Sequence, residues 1–433
     1  MEYVDRVLDP YLADVVANLP AVTVEGCKGV GKTESANRLA RTRIDLDQEA
    51  EIQALREDPD RIDRLGHPLL IDEWQLFPGV WDRVRRSVDR QPRPGSFILT
   101  GSATPLERPK HSGAARVVLV RMRPFSLVER GFTDSAVTLA DLLTGERNDF
   151  HGDTSVRLDD YAREIVTGGL PALRSVPQRL RRTAWDGYLS EILDRKLEES
   201  GLDVRRPQTL RAWLRSYARA TASTATYTDI LDNATPNEPD KPAKSTTLSW
   251  REALGRMWLL DPLPAWEDPL HKLSRLGQAA KHHLADPALA AHLIGATAST
   301  LLTSPDPAGV LTPRPGTLFG ALFESLVTLS VRVYAEPLGA TVSHLRTKNG
   351  DREVDLIVTR PDGKCVAIEV KSAPDLIGSD VRNLQWLQSQ LGDDLLDAIV
   401  VTTGPAAYRR DHDGIGVVPA ALLGAGYPAA WME

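Results

Sequence analysis

The chain has 433 residues, 42% of them hydrophobic and 26% charged, and a formal net charge of −7. This balance excludes collagen-like, coiled-coil and wholly disordered chains, and the length suits about three domains. The negative charge excludes a polybasic architectural protein but not a nucleic-acid enzyme with a local basic groove. Two cysteines, Cys27 and Cys365, are too few for a disulfide framework or a cysteine-rich zinc site. A charged start, and no uninterrupted apolar run of ~18 residues, predict no signal segment and no membrane span; the expected protein is soluble and cytoplasmic.

Val7, Leu8, Tyr11, Leu12 and Val15 recur at helical spacing and predict a helix over 5–18. Ala21-Val22-Thr23-Val24-Glu25 reads as a short strand ending at glycine. Then comes Gly26-Cys27-Lys28-Gly29-Val30-Gly31-Lys32-Thr33, which satisfies G-x-x-x-x-G-K-[ST] in full. The glycines let backbone N–H groups turn inward around phosphate oxygens, and the helix that follows aims its positive end at them. Lys32 is suited to reach the β and γ phosphates of ATP, and the Thr33 hydroxyl to ligate Mg²⁺. Cys27 reads as filler. The strand before and the helix after, Lys32 to Arg41, supply the context that a chance glycine turn lacks.

Leu69-Leu70-Ile71-Asp72-Glu73 is an apolar run ending in two acids. Downstream of a phosphate loop it predicts Asp72 in the Mg²⁺ shell and Glu73 polarising the attacking water. Phe97-Ile98-Leu99-Thr100 precedes Gly101-Ser102, so either Thr100 or Ser102 is placed to sense the γ-phosphate. One of Arg116, Arg121 and Arg123 could serve as an arginine finger in trans in a homo-oligomer, or all three lie on a solvated strand end. Short apolar strands separated by helices predict a parallel α/β sheet over residues 1–135.

Residues 155–315 read as a helical middle domain. Helices at 224–232 and 246–257, with a strand at Trp258-Leu259-Leu260, give the order of a winged-helix unit. The polar stretch Asn233 to Lys244 between them is far longer than the usual turn of ~3–4 residues, which counts against DNA reading. Arg211, Arg215 and Arg219 form a basic stripe, more simply a solvated face than a phosphate contact. His282-His283 lacks partner ligands at metal spacing and reads as structural or exposed.

Residues 316–433 return to α/β. Thr317 to Val331 is helical by spacing, and strands 354–359 and 365–370 are joined by the turn Arg360-Pro361-Asp362-Gly363-Lys364. A helix over 381–391 and a strand over 398–401 follow. Alternation puts Glu369 and Lys371 on one face, and the hairpin carries Asp355 beside them, with Glu324 on the helix before. Carboxylates of this kind can hold Mg²⁺, and a lysine can orient water against a phosphodiester. That predicts Asp355 and Glu369 as metal ligands, and Glu324, Asp355, Glu369 and Lys371 as the catalytic set of a PD-(D/E)xK nuclease core. The alternatives are an inactive nuclease fold and a plain charged strand.

Together these residues resemble the prokaryotic AAA-type ATP-binding proteins that end in a domain of unknown function. The resemblance rests on the phosphate loop, Ile71-Asp72-Glu73-Trp74-Gln75, Leu99-Thr100-Gly101-Ser102 and His111-Ser112-Gly113. It continues in Arg121-Met122-Arg123-Pro124-Phe125-Ser126-Leu127-Val128-Glu129, Gly168-Gly169-Leu170-Pro171, Glu353-Val354-Asp355 and Glu369-Val370-Lys371. It implies an ATPase domain, a winged-helix-like middle and a restriction-endonuclease-like end. Trp74, usually aliphatic, and the loop around Asn237 to Lys244 depart from it. The expected function is an Mg²⁺-dependent ATPase coupled to a nuclease-like module acting on nucleic acid. The alternative is an ATP-switched DNA- or protein-binding regulator.

Overall fold

The computed structural model describes residues 3–102, 116–197, 206–236, 241–270, 272–273, 276–302 and 318–427. Its contacts group the chain into two compact units. The first comprises Met1–Arg123, Ser190–Arg205 and Lys244–Leu259; the second comprises Pro124–Leu189, Arg206–Ala243 and Leu260–Glu433.

In the first unit, β1 (Ala21–Glu25), β2 (Thr42–Asp45), β3 (Leu69–Asp72), β4 (Phe97–Gly101) and β5 (Val118–Arg121) form one sheet in the order β2-β3-β4-β1-β5. All its pairings are parallel. β1, β3 and β4 are buried along their whole length, as strands covered on both faces must be. Parallel neighbours require crossovers, and the helix Gly79–Arg90 supplies one between β3 and β4, burying Val80, Val84 and Val88. Each such apolar side chain contributes about 1.5–3 kcal/mol on leaving water. The register sets Glu25 beside Gly101 and beside Arg121, and Asp45 beside Asp72, so the carboxyl ends of the strands meet at one edge. In open α/β sheets that edge is where ligands bind. β2 has no apolar run; only one of its four residues is buried, and the sequence pattern does not reveal it.

In the second unit, β7 (Gly152–Asp153), β8 (Thr341–Arg346), β9 (Glu353–Thr359), β10 (Cys365–Val370), β11 (Leu395–Thr402), β12 (Ala406–Arg409) and β13 (Gly416–Pro419) form a sheet. Their order is β7-β12-β13-β11-β10-β9-β8. β8, β9 and β10 are antiparallel neighbours, whereas β10 and β11 run parallel. β6 (Val137–Thr138) and β14 (Leu423–Gly424) pair separately. The expected hairpin turn closes β9 onto β10, with Arg360 N–H donating to the Lys364 carbonyl and Gly363 at a φ of 87°. The helix Arg382–Leu391 buries Leu384, Leu387 and Leu391 against this sheet. The helix Leu318–Ala335 is long and apolar enough to cross a membrane by length and composition, yet 72% of it is buried inside the protein, and it serves as a core helix.

The expected middle domain, 155–315, is divided between the two units. The two helices expected to form a helix-turn-helix are present, as Tyr227–Ala234 and Lys244–Arg256, and are assigned to different units. Their apolar spacing predicts helices without specifying what each packs against. Trp258–Leu260 is not a strand: Trp258 sits at a φ of 59°, and only Leu260 makes an isolated bridge, to Leu284. Thr317, His111-Ser112-Gly113 and residues 237–240 of the polar stretch lie outside the described residues.

Candidate functional sites

At the carboxyl edge of the first sheet, the phosphate loop joins β1 to the helix Lys32–Leu39. Gly31, with a φ of 101°, caps that helix in a left-handed conformation. Gly26 cannot carry a side chain, because a Cβ there would lie 2.1 Å from the Met122 carbonyl oxygen. Lys32 is buried and its ammonium donates to the carbonyls of Gly26 (2.9 Å) and Cys27 (3.1 Å). Burial lowers the pKa of Lys32, against the attraction of Cys27, Glu73 and Asp72. Lys28 leaves the loop to pair with Glu191 at 3.0 Å.

Thr33 Oγ1 donates to Asp72 Oδ1 at 2.9 Å, and Thr100 donates to the same oxygen. The other Asp72 oxygen accepts from Arg43 Nη2 at 3.0 Å. Arg43 lies on β2, and sequence reasoning missed it along with that strand. A hydroxyl and a carboxylate side by side form an oxygen donor set that fits Mg²⁺, with Thr33 and Asp72 as the residues that would hold it. Thr100 is fully buried and donates to Asp72. Ser102 Oγ donates to Glu73 Oε2 at 3.0 Å, and Gln75 donates to the same oxygen. Glu73 has a left-handed backbone, φ 53°, which in a non-glycine residue costs on the order of 1 kcal/mol and is typical of functional sites.

The three arginines differ. Arg116 pairs with Asp89. Arg121 is buried and its guanidinium lies over the Trp258 ring. The Arg123 carbonyl accepts from Arg6 Nη2 at 2.6 Å.

In the second unit the hairpin brings the predicted acids together. Asp355 Oδ2 accepts the Val370 N–H at 2.9 Å, and Lys371 Nζ donates to Glu369 Oε2 at 2.9 Å. The centre, however, is filled by a residue the sequence reading passed over. Lys281 Nζ lies 2.8 Å from Glu324 Oε1, 2.8 Å from Asp355 Oδ1 and 2.9 Å from Glu353 Oε1. Lys281 is 1% exposed, and its backbone exchanges both hydrogen bonds with Leu263. Its neighbours His282 and His283 are buried and structural: His282 Nε2 lies 2.7 Å from the Ala225 carbonyl, and His283 Nδ1 lies 3.1 Å from Ser325 Oγ.

The electrostatics follow. Burial and then the repulsion of Asp355 push Glu324 up to about 8, with Lys281 opposing. Burial and Asp355 likewise raise Glu369 well above the usual carboxylate range. For Asp355, burial acts upward but Lys281 and Lys371 outweigh it and hold the acid at about 2. Lys281 is itself raised, because Asp355, Glu324 and Glu353 overcome its burial. The expected metal ligation by Asp355 and Glu369 therefore does not fit this arrangement. Both oxygens of Asp355 are engaged, and an ammonium takes the place where a cation would bind. Among the described residues, no group of three or more His, Cys, Asp or Glu is arranged to hold a metal ion.

A parallel sheet with a phosphate loop, a buried aspartate and a tethered glutamate at one edge has the form of a P-loop nucleotide-binding site. Residues 18–130 match the family model described as an AAA domain, so this region is of the AAA ATPase type. Residues 158–300 and 319–423 match two models described as domains of unknown function, DUF8612 and DUF4143. Two uncharacterized proteins, from Mycobacterium tuberculosis and Mycobacterium bovis, are each 25% identical to this chain over 291 residues. Each match covers 64% of this chain and 56% of the relative, so the aligned part spans little more than half the relatives' length.

Proposed function

We propose that the first unit binds ATP with Mg²⁺ and hydrolyses it. The observation that carries this reading is the convergence of Thr33 and Thr100 on one oxygen of Asp72, beside Lys32 at the helix start. Lys32 meets the phosphate charge, Thr33 and Asp72 hold the cation, and Glu73, braced by Ser102 and Gln75, accepts a proton from the attacking water. When bound, Mg²⁺ supplies neutralisation of the phosphate charge. Lys32→Ala removes a charged contact to the phosphates and should weaken ATP binding at least about tenfold by titration. Unchanged affinity would remove the loop from the site.

For residues 318–424 we propose a restriction-endonuclease-like core. The support is the order of helix, three antiparallel strands, helix and parallel strand, with Asp355, Glu369 and Lys371 gathered on β9 and β10. On this reading the module contacts nucleic acid, and the nucleotide state of the first unit sets when it does. Nucleotide-dependent retention of plasmid on a filter tests it; retention identical with and without ATP would separate the two activities.

A further inference from the structure

We infer that Lys281 is a built-in replacement for the divalent cation of the second unit, so that this module holds nucleic acid without metal and without cutting it. The inference rests on the restriction-endonuclease-like reading of that core. The ammonium donates to Glu324 Oε1 and Asp355 Oδ1 and lies 2.9 Å from Glu353 Oε1, so carboxylate oxygens of three residues surround it. The lysine is not a surface side chain free to swing away. It is 1% exposed, and its backbone is bridged to Leu263 on both sides. A divalent ion drawn to the same oxygens would face this fixed positive charge at close range. Lys371, which would orient water in a cutting enzyme, is paired with Glu369 Oε2.

A second observation points the same way. Glu369 Oε1 is buried, and besides Lys371 the side-chain hydrogen-bond partner of this carboxyl is Asp355. Glu369 thus adds a carboxyl oxygen next to Asp355 at the edge of the set that Lys281 holds. Replacing Lys281 with methionine would free three oxygens beside this fourth, and such a set suits a hard divalent ion. The cluster is thus a latent metal site that a single lysine closes.

The test uses the full chain without nucleotide and in an Asp72→Asn background, so that the first unit takes up no metal. Mn²⁺ binding is read by electron paramagnetic resonance, and nicking of supercoiled plasmid is followed in parallel. The expected results are no Asp355-dependent Mn²⁺ and no nicking in the chain with Lys281. Lys281→Met should bind Mn²⁺ at least about tenfold more tightly, and Asp355→Asn should abolish the gain. Mn²⁺ bound by the Lys281 chain and lost with Asp355→Asn would overturn the inference, as would nicking that depends on Lys371. A folded Lys281→Met that gains no Mn²⁺ affinity would overturn it too. Should Lys281→Met fail to fold by circular dichroism, the comparison of Lys281 chains with and without Asp355→Asn decides alone. Plasmid retention is scored separately. Its absence would overturn the nucleic-acid reading, whereas the lysine assignment falls only on the Mn²⁺ and nicking arms.

Discussion

Asp72 and Asp355 are both buried aspartates on strands of α/β sheets, at 7% and 9% exposure, and they are neutralised in opposite ways. Asp72 accepts from two hydroxyls and from a partly exposed Arg43, so its inner oxygen gains hydrogen bonds without gaining a fixed positive charge. Asp355 accepts from a buried ammonium and a backbone N–H. A hydroxyl leaves the carboxylate's charge available to a hard cation; an ammonium consumes it. On the proposed reading, the same residue type in the same kind of strand supports nucleotide-linked metal binding in one unit and is closed to it in the other.

The contrast is most exposed to stability measurements. Lys281→Met leaves Glu324, Glu353 and Asp355 facing one another in a buried site, and breaking such a pair costs about 3–5 kcal/mol. Asp72→Ala leaves the buried Thr100 hydroxyl without its acceptor while Thr33 and Arg43 stay near solvent, about 1–3 kcal/mol. Urea unfolding at neutral pH should separate the two variants clearly, and equal losses would break the comparison. Next in size is turnover. Glu73→Gln keeps the shape but cannot accept a proton, so kcat for ATP should fall by roughly 100-fold or more with ATP affinity retained. Native-rate hydrolysis by that variant would assign water activation elsewhere. A further effect is on pH dependence. Glu324 sits at about 8 in the folded chain against 4.5 for a free glutamate, so the folded form keeps a proton that the unfolded form releases. Its contribution to stability is therefore present below pH 4.5 and is lost as pH rises towards about 8. Glu324→Gln should flatten stability across that window, and an unchanged slope would place the proton on another group.

How far the sequence led depends on how local each signal is. The phosphate loop is eight consecutive residues whose spacing is itself the chemistry, and the strand before and helix after it form as expected. Asp355, Glu369 and Lys371 could be grouped because one short turn separates their strands. Lys281 could not. It stands 43 residues from Glu324 and 74 from Asp355, in a stretch held by isolated bridges rather than a strand, so no periodicity marks it. Arg43 escaped for a related reason: its strand has almost no buried face to leave an apolar pattern. The helices Tyr227–Ala234 and Lys244–Arg256 were legible as helices, but their assignment to different units depends on contacts distant in sequence.

The interleaving of the two units has a consequence for how this protein can be taken apart. The chain passes from one unit to the other five times, and the first unit is completed by segments beginning at Ser190 and Lys244. No single cleavage yields two whole pieces. A fragment starting near residue 316 would carry Asp355, Glu369 and Lys371 but leave Leu263 and Lys281 behind, exposing acids whose counter-charge was supplied from elsewhere in the chain. A single truncation cannot separate the two units of such a chain. Its two units must be inherited, expressed and purified as one object.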